Sequence, residues 1–132
     1  MKITRRFTTA GTDVYSTVEW TKRTSRITNA DGSVVFEMKD AEVPRQWSQL
    51  ATDIMVSKYF RKAGVPQADG ASKTGPERSV RQDVHRLSGC WKDWGETHGY
   101  FDTAEDAQAF YDELAYMMLH QMAAPNSPQW FN

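Results

Sequence analysis

The side chains in this sequence that could carry chemistry are a single cysteine, three histidines, scattered carboxylates and one hydroxyl in a proline-flanked stretch. Cys90 stands between Gly89 and Trp91 inside a helical pattern. A reactive thiolate wants a neighbouring cation or a helix N-terminus; a mid-helix position offers neither, so Cys90 reads as a small packed residue. His85, His98 and His120 fall on different expected elements, with no cysteine or carboxylate at ligand spacing. They read as surface or helix-end histidines, and no metal site is expected. The carboxylates form no acid–base pair whose separation the sequence sets. Gly70 to Gly75 has neither a preceding strand pattern nor the Gly-Lys-Ser/Thr of a phosphate loop. The hydroxyl is Ser127, in Pro125-Asn126-Ser127-Pro128-Gln129-Trp130-Phe131-Asn132. Taken alone it is the serine of a helix-terminating turn, capping whatever follows. The rings of Trp130 and Phe131 call for a covering surface. No complete active site, and no catalytic residue, is expected within the chain.

The elements that would hold these residues follow from periodicity and turn chemistry. Residues 1–16 are polar and broken by Gly11, an arm that needs a body to lie on. Between Thr17 and Met38, β-branched runs flank Asn29-Ala30-Asp31-Gly32, a hairpin signal in which Gly32 takes positive φ. Trp47, Leu50, Ala51, Ile54, Met55 and Tyr59 are spaced as one face of a helix that Gly64 and Pro66 stop. Residues 67–76 read as a loop. A second helix is expected from about Glu77 to His98, with Val80, Val84, Leu87, Trp91 and Trp94 as its buried stripe. A third starts at Thr103, with Asp106 completing a capping box, and presents Ala107, Phe110, Tyr111, Leu114, Met117, Met118 and Met122 as its apolar face before Pro125 ends it. The expected fold is mainly α with a small β-hairpin element.

Composition limits the function classes. The 132 residues are 39% hydrophobic and 12% aromatic, too apolar for a disordered tail. A net charge of -1 argues against wholesale nucleic-acid or membrane-surface binding, and the basic clusters at Lys2 to Arg6 and Lys22 to Arg26 read as solvated strand edges. One cysteine precludes an internal disulfide and suits a reducing compartment. No run approaches the roughly 18 apolar residues of a membrane span, and the charged N-terminus lacks a secretory apolar core. A cytoplasmic protein is expected.

Several stretches, in order, carry a resemblance: Val18-Glu19-Trp20-Thr21-Lys22-Arg23-Thr24; Val43-Pro44-Arg45-Gln46-Trp47-Ser48-Gln49-Leu50-Ala51; Lys58-Tyr59-Phe60-Arg61-Lys62-Ala63-Gly64-Val65-Pro66; Glu77-Arg78-Ser79-Val80-Arg81-Gln82; Trp94-Gly95-Glu96-Thr97-His98-Gly99-Tyr100-Phe101; and Asn126-Ser127-Pro128-Gln129-Trp130-Phe131-Asn132. Together they resemble the N-terminal region of class II ribonucleotide reductases, adenosylcobalamin-dependent enzymes that make deoxyribonucleotides by a radical mechanism.

The resemblance implies a helical lead-in, residues 17–125, to a ten-stranded α/β barrel, with 126–132 entering the first barrel strand. It implies that Ser127 contacts the ribonucleotide substrate. A hydroxyl and neighbouring amides on a Pro-flanked loop suit a phosphate. The family's catalytic cysteines match nothing here, Cys90 included. The resemblance therefore implies a partner, a downstream reductase polypeptide carrying the barrel, and adenosylcobalamin in the assembly rather than on this chain. The contrasting expectation is a non-enzymatic helical interaction module that docks through its aromatic tail.

Overall fold

A computed structural model describes residues 1–67 and 70–131. Among them are four α-helices and two small antiparallel sheets, a mixed α/β arrangement rather than a mainly α one with a single hairpin. The chain forms two compact units, one of residues 19–83 with Phe131, the other of residues 1–18 and 84–130.

In the first unit, β1 (Trp20–Thr28) pairs antiparallel with β2 (Val34–Pro44) from Trp20↔Pro44 to Thr28↔Val34, with register shifts between Arg23 and Ser25 and between Ile27 and Thr28. The turn is the one expected: Gly32 has φ 88, and Asp31 Oδ1 accepts from the Ser33 amide at 2.9 Å and its hydroxyl at 2.6 Å. The hairpin is longer than 17–38, because β2 continues through Glu42-Val43-Pro44 instead of yielding to a helix. Burial explains the extension. Ala41, Val43 and Pro44 are buried, whereas Val34 and Val35 near the turn are exposed.

Ser48 then caps α1 (Gln49–Ile54), accepting from the Ala51 amide, and a π-helical turn over Met55–Tyr59 follows, with the Phe60 amide donating to Met55 O at 2.9 Å. The expected apolar face is corrected here. Trp47 is buried but precedes the helix, and Leu50 and Ile54 face solvent while Thr52, Met55, Val56 and Phe60 go inside. A five-residue turn shifts the phase on which a 3.6-residue count depends. Arg23 fixes this corner, donating to Trp47 O, to Arg45 O at 2.7 Å and to the buried Thr52 hydroxyl at 3.0 Å.

The expected loop at 67–76 is a second hairpin. β3 (Val65–Gln67) pairs with β4 (Gly70–Gly75), which also removes the reason for denying Gly70 to Gly75 a preceding strand; residues 68 and 69 lie outside the described residues. Such a short hairpin needs support. The buried Glu77 supplies it: its carboxylate accepts from the Arg61 amide at 2.6 Å while its own amide donates to Arg61 O at 2.8 Å.

In the second unit, α2 (Val80–Thr97) supplies residues from Val84 onward. Its end is a Schellman closure: the Tyr100 amide donates to Gly95 O at 2.8 Å, and Gly99 takes φ 68. Val84 and Leu87 are buried as expected, but Trp94 is 55% exposed and Trp91 only half-buried. Gly95 takes the inward position at that end. A Cβ there would lie 2.3 Å from a Phe101 ring carbon, so the ring packs directly on backbone.

α3 (Ala104–Leu119) starts where expected, Thr103 Oγ1 accepting from the Asp106 amide at 3.2 Å and donating to its carboxylate at 2.9 Å. Burial goes further round α3 than one apolar face. Ala107, Tyr111 and Met118 are buried, but so are Asp112 and Glu113, while Met122 lies past the helix and is exposed. The N-terminal arm accounts for the buried acids. The Met1 ammonium bonds Tyr100 O at 2.8 Å and Asp102, the Ile3 amide bonds Asp106 at 3.0 Å, and Arg5 bonds Asp112 at 2.7 Å. Glu113 then receives the amides of Arg6, Phe7 and Thr8 and the Thr8 hydroxyl, the last at 2.6 Å. Phe7 stacks on Tyr116 at 5.2 Å.

Candidate functional site

Ser127 opens α4 (Ser127–Trp130), a single helical turn where a strand was expected. Pro128 suits this place, since a first helical turn has no intrahelical use for the amide that proline lacks. The turn closes through the Gln129 and Trp130 amides onto Asn126 O at 3.0 and 3.3 Å, so Asn126 rather than Ser127 stands at its head. Arg86 on α2 holds it, donating to Trp130 O at 2.8 Å, and Trp130 is only 6% exposed. The expectation of two uncovered rings is therefore half corrected: Trp130 is buried, and Phe131 is 59% exposed. Ser127 itself is exposed, on a turn anchored at its far end.

The other candidates separate. Cys90 is exposed rather than packed, and lines a cavity of about 180 Å³ with Leu87, Trp91, Trp94 and Gln129. His85 Nδ1 lies 2.8 Å from the Tyr111 hydroxyl, which lies 2.6 Å from that of Tyr15, a chain of hydrogen bonds across α2, α3 and the segment before β1. Burial raises the Tyr111 hydroxyl above its ordinary value, against the lowering effect of Tyr15, so the phenol stays protonated. His120 stacks on Tyr116 at 3.9 Å and lies 3.1 Å from the Thr17 hydroxyl, and burial keeps it below the usual histidine value. His98 sits beside Tyr100. Among the described residues no three histidines, cysteines or carboxylates are grouped to hold a metal ion. No helix among them is long and apolar enough to cross a membrane.

Sequence reasoning missed the role of Glu113. For this carboxylate burial acts upward, but the Thr8 hydroxyl and the amides of Arg6, Phe7 and Thr8 outweigh it and hold the group below its ordinary value. Glu113 is a structural anion rather than a proton donor, and an acid on the inner side of α3 was the available signal. Among the described residues the geometry commits Asp106, Asp112 and Glu113 of α3 to the arm, and His85 and His120 to hydroxyls. It supports one anchored turn that presents a hydroxyl.

The profile of the class II vitamin B12-dependent ribonucleotide reductase family matches residues 21–121. The vitamin B12-dependent ribonucleotide reductase of Bradyrhizobium diazoefficiens is 46% identical in an alignment covering 100% of this chain and 13% of the relative. That of Agrobacterium fabrum is 47% identical over 100% of this chain and 12% of its own length. The Rhodopirellula baltica enzyme is 45% identical over 92% of the chain and 11% of its own. The chain thus belongs to the class II vitamin B12-dependent ribonucleotide reductases, as the N-terminal region of a larger enzyme, and spans 11 to 13% of the length of these relatives.

Proposed function

We propose that this chain is the N-terminal part of an enzyme that converts ribonucleotides to deoxyribonucleotides by a radical mechanism, acting with adenosylcobalamin once joined to a barrel-bearing remainder. The observation that carries this reading is the 46% identity in an alignment that covers the whole chain. In this reading residues 1–16 are an arm, 17–125 a lead-in domain, and 126–132 the start of the barrel. Ser127 donates to the substrate, and the Arg86 bond to Trp130 O fixes the turn that carries it. A hydroxyl on an anchored turn loses little freedom on meeting a phosphate or a ribose, which is the advantage of positioning. The location is cytoplasmic, and neither DNA nor RNA is bound directly.

The described residues do not fit the corrin. The groove beside β2 is lined by the charged side chains of Lys22, Lys39, Asp40, Glu42, Arg78 and Arg81, and His85 and His120 are engaged with Tyr111 and Thr17. The cofactor, which would supply the radical chemistry, is assigned to the remainder.

The test is ribonucleotide reduction by this chain mixed with the separately produced remainder, adenosylcobalamin and a dithiol. Deoxyribonucleotide formed only with both polypeptides is the expected result. Ser127→Ala is expected to lower kcat/KM by about tenfold or more with melting temperature unchanged. A remainder equally active without this chain would overturn the proposal.

A further inference from the structure

The basic cluster that begins at Lys22 acquires a setting in the first unit. Lys22 of β1, Lys39 of β2, and Arg78 and Arg81 around the start of α2 line one groove of about 580 Å³, together with Asp40, Glu42, Gln67, Ser79 and Gln82. Four cations face two carboxylates there, on a chain whose net charge is -1.

The charges are not equivalent. Arg81 is committed: its Nε donates to Glu42 Oε1 at 2.9 Å, and its guanidinium lies 4.2 Å from the centre of the Trp20 ring. Ser79 donates to the same Glu42 oxygen at 2.6 Å, so this acid belongs to the wall. Lys22, Lys39 and Arg78 form no side-chain ion pair or hydrogen bond among the described residues. Among the described residues that line the groove, Asp40 is the other acid.

Backbone geometry brings Lys39 in. Neighbouring strand residues point to opposite faces, yet Lys39 and Asp40 both line the groove. Asp40 takes φ 58, a left-handed conformation that breaks the alternation. The amides of Arg78 and Ser79 are already taken by Gln82 Oε1, at 2.7 and 3.1 Å. Any ligand would therefore be held by the cations, with the positive end of α2 adding only its field.

We propose that this groove binds a compact polyphosphate group through Lys22, Lys39 and Arg78. Three cations drawn from three elements suit an anion with charge on several centres, and the arginine fork matches phosphate oxygens. The volume lies within the range of small-ligand sites, about 300–1,000 Å³.

Calorimetric titration of the chain with inorganic triphosphate, ATP and a short oligonucleotide tests this without any reductase assay, so its failure is separate from failure of the reductase reading. Triphosphate and ATP are expected to bind with similar affinity, and more weakly as salt is raised. Lys39→Ala and Arg78→Ala are each expected to weaken binding about tenfold, Lys39→Arg by less than about threefold, and Arg26→Ala, at the exposed Glu37 pair, not at all. Circular dichroism establishes that each variant is folded. Absence of saturable triphosphate binding, affinity unchanged in the Lys39/Arg78 double variant, ATP binding without triphosphate binding, or tighter binding of the oligonucleotide would each overturn the proposal.

Discussion

The two compact units treat charge in opposite ways. In the unit of residues 1–18 and 84–130, four acids of α3 and the preceding turn each take a donor from the arm, Asp102 from Met1, Asp106 from Ile3, Asp112 from Arg5 and Glu113 from residues 6–8. In the unit of residues 19–83, Arg81 is paired while Lys22, Lys39 and Arg78 face a groove without a side-chain partner among the described residues. Charge matched inside a unit contributes to its folding, whereas charge left facing a groove is available to something else. The difference separates stability from function on one short chain.

The sharpest way to break this comparison is Glu113→Ala. It strips the acceptor from three amides and a hydroxyl around a buried position, and a loss of about 3 kcal/mol or more is expected in urea unfolding, with residues 1–8 becoming protease-sensitive. A melting temperature within a degree of the parent would mean that the arm is only draped on α3.

Acid sharpens the same point. The Glu113 carboxyl is held below its ordinary value of 4.5, so its contribution is complete above that pH and is lost as pH falls through the lower folded value. Melting followed from pH 7 down to about pH 3 should show this decline, and Glu113→Gln should flatten it.

Next in size is Gly95→Ala, whose Cβ would meet Phe101 at 2.3 Å; about 1–3 kcal/mol is expected in the same unfolding measurement. Thr103→Ala removes the cap of α3 and should cost about 1 kcal/mol. The smallest expected effect carries the contrast: Lys39→Ala and Arg78→Ala should each change stability by less than about 0.5 kcal/mol, because neither side chain is paired among the described residues. A clear destabilisation by either would show that the groove cations are structural after all.

Much of the local structure was legible. The Asn29 to Gly32 turn, the Thr103 cap and the inner stripe of α2 at Val80, Val84 and Leu87 all rest on interactions a few residues apart, and they stand where periodicity and turn chemistry put them. Errors came wherever a distant segment decided. Trp94 and Leu50 fit an apolar spacing yet face solvent, and the polar stretch after Pro66 pairs as a strand because Glu77 clamps Arg61 across its base. Of the candidate site, the motif around Ser127 was visible as residues, but neither the turn it forms nor the burial of Trp130 was.

The sequence by itself determined the family, through motifs that stand in order along the chain, and the elements whose hydrogen bonds close within a turn or a cap. Only the tertiary structure decided that Glu113 is an anchor for the arm, that Trp130 is covered, and that Lys22, Lys39 and Arg78 share one groove. A cap or a turn is specified by neighbours the chain cannot separate. A buried carboxylate or a convergent set of cations is specified by segments that folding alone brings within hydrogen-bonding reach.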